Sequence, residues 1–145
     1  RLFNTVGPRQ TGAYGMVIPR FVTQALEHKD ITVYGDGKQS RCFLYVKDAV
    51  NALAKLMDSR EAIGEVFNIG SQEEITIKGL AEKVIKMTGS PSKVIYIPYD
   101  QAYERGFEDM ARRIPDTAKI NRLIGFKPTI NLEGIIKSVV EYYKK

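Results

Sequence analysis

The sequence predicts an α/β fold. Three observations carry this. Short apolar runs of strand character alternate with amphipathic stretches of helical period along the whole chain. Glycine and proline turns separate them. No shift in composition marks a linker, so residues 1–145 read as a single unit.

The elements follow in order. Arg1 to Thr5 reads as a buried strand entering the turn at Gly7 and Pro8. "QTGAYG" is a glycine-bearing loop. "VIPRFVTQALEH" reads as a helix: Pro19 fits a first turn, and Phe21, Val22, Ala25 and Leu26 recur at spacings of three and four. "DITVYGDG" is a short strand ending in an Asp-Gly turn, and "RCFLYV" is extended. Asp48 reads as a helix cap ahead of "AVNALAKLMDS". "GEVFNIGS" is a strand. "EEITIKGLAEKVIKMTG" is a short strand and a helix stopping at Gly89, and "KVIYIPY" is a strand. An irregular polar stretch holding Arg112 and Arg113 runs to Pro115. "DTAKINRLIGF" is a helix capped by Asp116 and ending at Gly125. "NLEGIIKSVVEYYKK" closes the chain as a helix with Leu132, Ile135, Ile136, Val139 and Val140 on one side.

Composition narrows the function. The chain is 43% hydrophobic and 27% charged, which suits a globular domain and not a disordered one. The net charge of +5 favours anionic ligands such as phosphates. The 22 basic residues are spread along the chain, without the basic and aromatic interleaving of a nucleic-acid surface, so no nucleic-acid partner is expected. No apolar run reaches the length of a membrane span. One cysteine, Cys42, allows no internal disulfide and points to a reducing, cytoplasmic setting, with its thiol as a small buried group. His28 reads as a surface residue at a helix C-terminus. No cysteine and histidine spacing suggests a metal site, and a lone histidine gives no credible Ser-His-Asp arrangement.

Three stretches carry candidate chemistry. In "RLFNTVGPR" the amide of Asn4 at a strand end both donates and accepts, which suits a sugar or phosphate oxygen. Arg9, beyond the turn, suits a bidentate anion contact. The plain alternative is a core strand and a turn. In "ITVYGDGKQSRCF" the plain reading is a hairpin with solvated charges. The functional one is a nucleotide clamp, with the Tyr34 ring stacked on a base, backbone groups near Thr32 and Tyr34 reading its edge, and Arg41 reaching a diphosphate. In "GFEDMARRIPDTAKINRLIGF" Arg112 and Arg113 occupy either a charged surface loop or a loop that swings over a ligand.

Taken together, "RLFNTVGPR", "VIPRFVTQAL" with "ITVYGDGKQSRCFLYVKDAVNAL", "GEVFNIGS" and "ARRIPDTAKINRLIGFKPTINLEGI" resemble, in order and over nearly the whole chain, the C-terminal half of the extended short-chain dehydrogenase/reductase family. That family holds NAD-dependent nucleotide-sugar epimerases, dehydratases and decarboxylases. The resemblance implies the C-terminal, substrate-binding portion of an NAD(P)-binding Rossmann-type fold, with a few strands and about five helices. It implies that Asn4, Thr32, Tyr34, Arg41 and Arg113 bind a UDP-sugar or other nucleotide sugar. Thr5 and Arg9 would lie toward NAD. "GFEDMARRIPD" is similar to the matching segment of bacterial UDP-glucuronate decarboxylases, which implies an auxiliary catalytic role for Arg113. Phe107 stands where those enzymes tend to carry tyrosine, a departure that places epimerase chemistry like that of UDP-glucose 4-epimerase first. The alternatives are a UDP-glucuronate decarboxylase, a dTDP-sugar dehydratase, and a non-catalytic nucleotide-sugar or NAD sensor on the same scaffold.

Two family features are missing. Gly12 and Gly15 lack the strand-to-helix glycine pattern that seats a pyrophosphate. The one tyrosine and lysine pair at the family's catalytic spacing is Tyr34 and Lys38, and "YGDGK" is a turn rather than a helix. The expectation is therefore a substrate-binding part, catalytically silent alone, whose dinucleotide half and catalytic base lie elsewhere. An apolar face or sheet edge left open by that division is expected to drive self-association into a homo-oligomer.

Overall fold

The computed structural model describes residues 1–11, 16–102 and 110–144. Most of the loop "QTGAYG", with Gly12 and Gly15, lies outside the described residues, as does Phe107. The fold is α/β, as the alternation predicts. Its strands are β1 (Thr5–Val6), β2 (Ile31–Tyr34), β3 (Ser40–Cys42), β4 (Leu44–Tyr45), β5 (Glu74–Thr76), β6 (Val94–Ile97) and β7 (Arg112–Arg113). Its helices are α1 (Val17–Leu26), α2 (Val46–Met57), α3 (Ile77–Thr88), the single turn α4 (Tyr99–Ala102), α5 (Ala118–Ile124) and α6 (Leu132–Tyr143).

Pairing is mainly parallel. β1 runs beside β4 and β2 beside β6. β3 lies between antiparallel β5 and parallel β7. The helices form where their apolar period predicts. Phe21, Val22 and Ala25 of α1 meet Leu80, Ala81 and Val84 of α3 and Ile135, Ile136 and Val139 of α6 in one core under β2. Leu44, Ala49, Ala52, Phe67, Ile69, Ile120 and Phe126 form a second core under α2 and α5. α3 and α5 stop at Gly89 and Gly125, both in the left-handed conformation that ends a helix at least cost in glycine. His28 is exposed just beyond α1, also at positive φ. α2 leaves Val50, Leu53 and Met57 exposed on one stripe.

Several elements differ from the sequence prediction. The hairpin alternative for residues 31–43 does not form, because β2 and β3 each find partners far along the chain. The run from Arg1 to Thr5 is broken at Asn4, whose φ is 39°. Leu2 before the break bridges Ile69, and Thr5 after it pairs with Leu44. "GEVFNIGS" contributes that bridge and no longer strand. Asp48 is not a cap. It sits inside the first turn of α2, buried, and accepts hydrogen bonds from the backbone N–H and hydroxyl of Thr129 at 3.0 and 2.6 Å. Arg112 and Arg113 form a strand, not irregular chain.

Candidate nucleotide-sugar site

Asn4 stands where the N-terminal run breaks. Asparagine tolerates positive φ better than most residues, so the break can hold a polar side chain in place. The Asn4 amide donates to the carbonyl of Cys42 at 2.8 Å. Its Oδ1 accepts from Nη2 of Arg113 at 2.7 Å. One amide thus ties the end of β3 to β7. Arg41 is the parallel register partner of Arg113, so the two arginines are direct neighbours across the ladder. Arg41 is buried, and its Nη1 donates to the carbonyls of Ser40 and Met110 at 2.7 Å each. The Nε of Arg113 is buried and has no hydrogen-bond partner among the described residues. A buried guanidinium N–H without an acceptor is costly, and an ordered water or a ligand oxygen removes that cost. Three of the predicted residues, Asn4, Arg41 and Arg113, are therefore brought together.

Thr32 and Tyr34 lie on β2. The backbone N–H of Thr32 donates to the Gln24 side chain at 3.2 Å, and its carbonyl accepts from Nη2 of Arg20 at 3.1 Å. Gln24 also donates to the Thr32 hydroxyl at 3.0 Å. These groups, predicted as open to a base edge, hold two α1 side chains here. The Arg20 guanidinium carbon sits 4.2 Å from the centre of the Tyr34 ring, a cation–π contact. Gln39 links this strand to the arginine cluster. It donates to the Tyr34 carbonyl at 3.0 Å and to the Tyr99 hydroxyl at 2.8 Å, and the next residues are Ser40 and Arg41 of β3. The Tyr99 ring packs over Gly35, where any side chain would collide with it.

Sequence reasoning missed Arg20, Gln24 and Gln39. A signal for the first two was present: they are four residues apart, beside the apolar face of α1, on the side that meets β2.

Thr5 and Arg9 are placed differently from one another. The Thr5 hydroxyl is buried and has no partner among the described residues, which fits one hydrogen bond to an arriving group. Arg9 is exposed on the turn at φ 69°. Cys42 is buried as expected, and burial raises its thiol pKa, with Glu74 adding to the effect. Among the described residues there is no cluster fit to hold a metal, and no helix is long and apolar enough to cross a membrane.

Known proteins share this sequence and fold. The chain is 41% identical over its whole length to a UDP-N-acetyl-alpha-D-glucosaminuronate decarboxylase of Bacillus cytotoxicus, covering 45% of that protein. An epimerase from Methanothermobacter thermautotrophicus superposes with a TM-score of 0.90 at 29% identity, over 99% of this chain and 42% of that one. A UDP-glucuronic acid 4-epimerase from Bacillus cereus, solved with UDP-glucuronic acid and NAD, gives a TM-score of 0.87 at 28% identity, over 99% of this chain and 44% of that one. The chain thus spans less than half the length of each. With residues 1–139 matching the model of the GDP-mannose 4,6 dehydratase family, in which the Rossmann-type α/β fold expected from the sequence recurs, the chain belongs to that family.

Proposed function

We propose that the chain is the nucleotide-sugar-binding part of an NAD-dependent enzyme acting on a UDP-linked sugar. The observation that carries this is the cluster of Arg41, Arg113 and Asn4. Two guanidinium groups on one sheet face, one keeping a buried N–H without a partner among the described residues, suit the oxygens of a diphosphate. Thr32 and Tyr34 take the base beyond it, with Arg20 and Gln24 yielding or sharing the Thr32 backbone groups. Binding at this remote handle holds the sugar for reaction.

NAD supplies transient hydride removal and return at the sugar. Of the residues here, the Thr5 hydroxyl, without a partner among the described residues, fits a contact at the edge of its site, and Arg9 on its exposed turn is the second candidate. The sequence shows neither the glycine-rich fingerprint nor a helical tyrosine and lysine pair, so on this reading these residues bind the nucleotide sugar without turning it over.

Decarboxylation of a UDP-linked sugar acid is the first reading of the whole protein's reaction, supported by the 41% identity to the Bacillus cytotoxicus decarboxylase. Epimerisation, first on the sequence motifs alone, is the second, supported by the TM-score of 0.90 to the methanogen epimerase. Incubating the whole protein and NAD with UDP-glucuronate, UDP-N-acetylglucosaminuronate and UDP-glucose separates them. Release of carbon dioxide from a sugar acid is expected. An epimer with all carbons retained moves the assignment to the second reading, and failure to bind or convert any nucleotide sugar overturns both.

A further inference from the structure

The two arginines of β7 part company. Arg113 points to Asn4 on one face of the sheet. Arg112 points to the other face, where its Nε and Nη2 donate to the two oxygens of Glu74 at 2.9 and 3.1 Å. The Ser40 hydroxyl, on the strand between them, also donates to that carboxylate. Arg112 and Ser40 together hold the Glu74 carboxyl below the usual carboxylate range, so it is ionised at neutral pH.

A strand of two residues has little backbone pairing to define its register. Two of the bonds that dock this segment, Ser40 N–H to the Ala111 carbonyl at 2.9 Å and Arg41 to the Met110 carbonyl at 2.7 Å, end on carbonyls. Every residue offers a carbonyl, so a slipped chain presents the next one. Side chains in a strand alternate with period two, and a slip of one residue moves each to the other face. If Arg112 moved into the place of Arg113, a guanidinium would still face Asn4. Glu74 would then face Ala111, which cannot answer its charge.

We propose that Glu74 is a positioning residue: its fork-to-fork pair with Arg112 sets the register of β7 and decides which of the tandem arginines faces the ligand. This rests on the assignment of Arg113 to the diphosphate, and the test keeps the two apart. UDP is titrated calorimetrically into the whole protein and its variants. Glu74→Gln alone weakens binding about fivefold, because the population is split between registers. In the Arg113→Ala background the sign reverses. Released from Glu74, Arg112 takes the vacant place, and Glu74→Gln/Arg113→Ala binds about fivefold more tightly than Arg113→Ala alone. Such a reversal is not expected if Glu74 serves only to stabilise the sheet.

Losses that simply add in the double variant overturn the inference. Arg113→Ala with unchanged affinity overturns the diphosphate assignment instead. Should glutamine at position 74 prevent folding, Arg112→Gln/Arg113→Ala decides with Glu74 intact. It is expected to bind as Arg113→Ala does, since Arg112 is held away from the ligand. A further loss would show Arg112 already at the ligand and overturn the inference.

Discussion

Arg113→Ala is expected to weaken UDP binding by the whole protein about 100-fold, corresponding to roughly 3 kcal/mol for loss of a desolvated, charge-assisted contact. Arg113 is half-buried, anchored by Asn4 at 2.7 Å and neighbour to Arg41 in the ladder. Its guanidinium is therefore held in place before a ligand arrives, and little ordering cost is left to binding. Arg113→Lys is expected to recover only part of the loss. An ammonium keeps the charge but not the planar fork, and it cannot serve Asn4 and a phosphate with the same geometry. Isothermal titration with UDP and with UMP measures both effects. The loss should be larger for UDP, which carries the second phosphate. An equal, small loss for both nucleotides would remove Arg113 from the diphosphate.

Asn4 carries the second large effect, and on stability as well as binding. Asn4→Ala removes the bond to Cys42 and the charge-assisted bond from Arg113, and it places alanine at φ 39°. The combined cost is about 2–4 kcal/mol of unfolding free energy. Asn4→Gly loses the same two bonds but relieves the backbone. It should therefore recover about 0.5–1 kcal/mol, the strain saved less the extra chain entropy of glycine. Urea unfolding of the two variants measures this difference. UDP affinity separates the roles: both variants should weaken binding about tenfold, because both leave Arg113 without its anchor. If glycine restored affinity to the wild-type value, the amide would matter for backbone shape alone.

What could be read from the sequence divides along physical lines. α1, α3 and α6 were legible because a helix is a local structure whose apolar period is written in its own residues. The pairing of β2 with β6 and of β3 with β5 and β7 was not, because a strand's partner lies elsewhere in the chain. Thus "ITVYGDGKQSRCF" invited a hairpin that does not form. β7 was invisible because two arginines carry no strand signature, and their opposite directions follow only from pairing with β3. Asp48 showed a related limit. Its place before an apolar helix looked like a cap, whereas its partner, Thr129, is 81 residues away. Asn4, Arg41 and Arg113 were picked out through motif resemblance, and their nearness, with the Asn4 amide holding Arg113, is visible only in the structure. Arg20 and Gln24 escaped notice because their role exists only once α1 packs beside β2.

Whether this chain holds the nucleoside diphosphate end of a nucleotide sugar is decided by amide and arginine side-chain NMR of the isotopically labelled protein during titration with UDP. Saturable shifts are expected at the Thr32 and Tyr34 amides, at the Arg41 and Arg113 guanidinium groups and at the Asn4 side chain. Arg113 Nε–H should move most, since it gains an acceptor that it lacks among the described residues. A spectrum unchanged at millimolar UDP, or shifts confined to residues away from β2, β3 and β7, would contradict it.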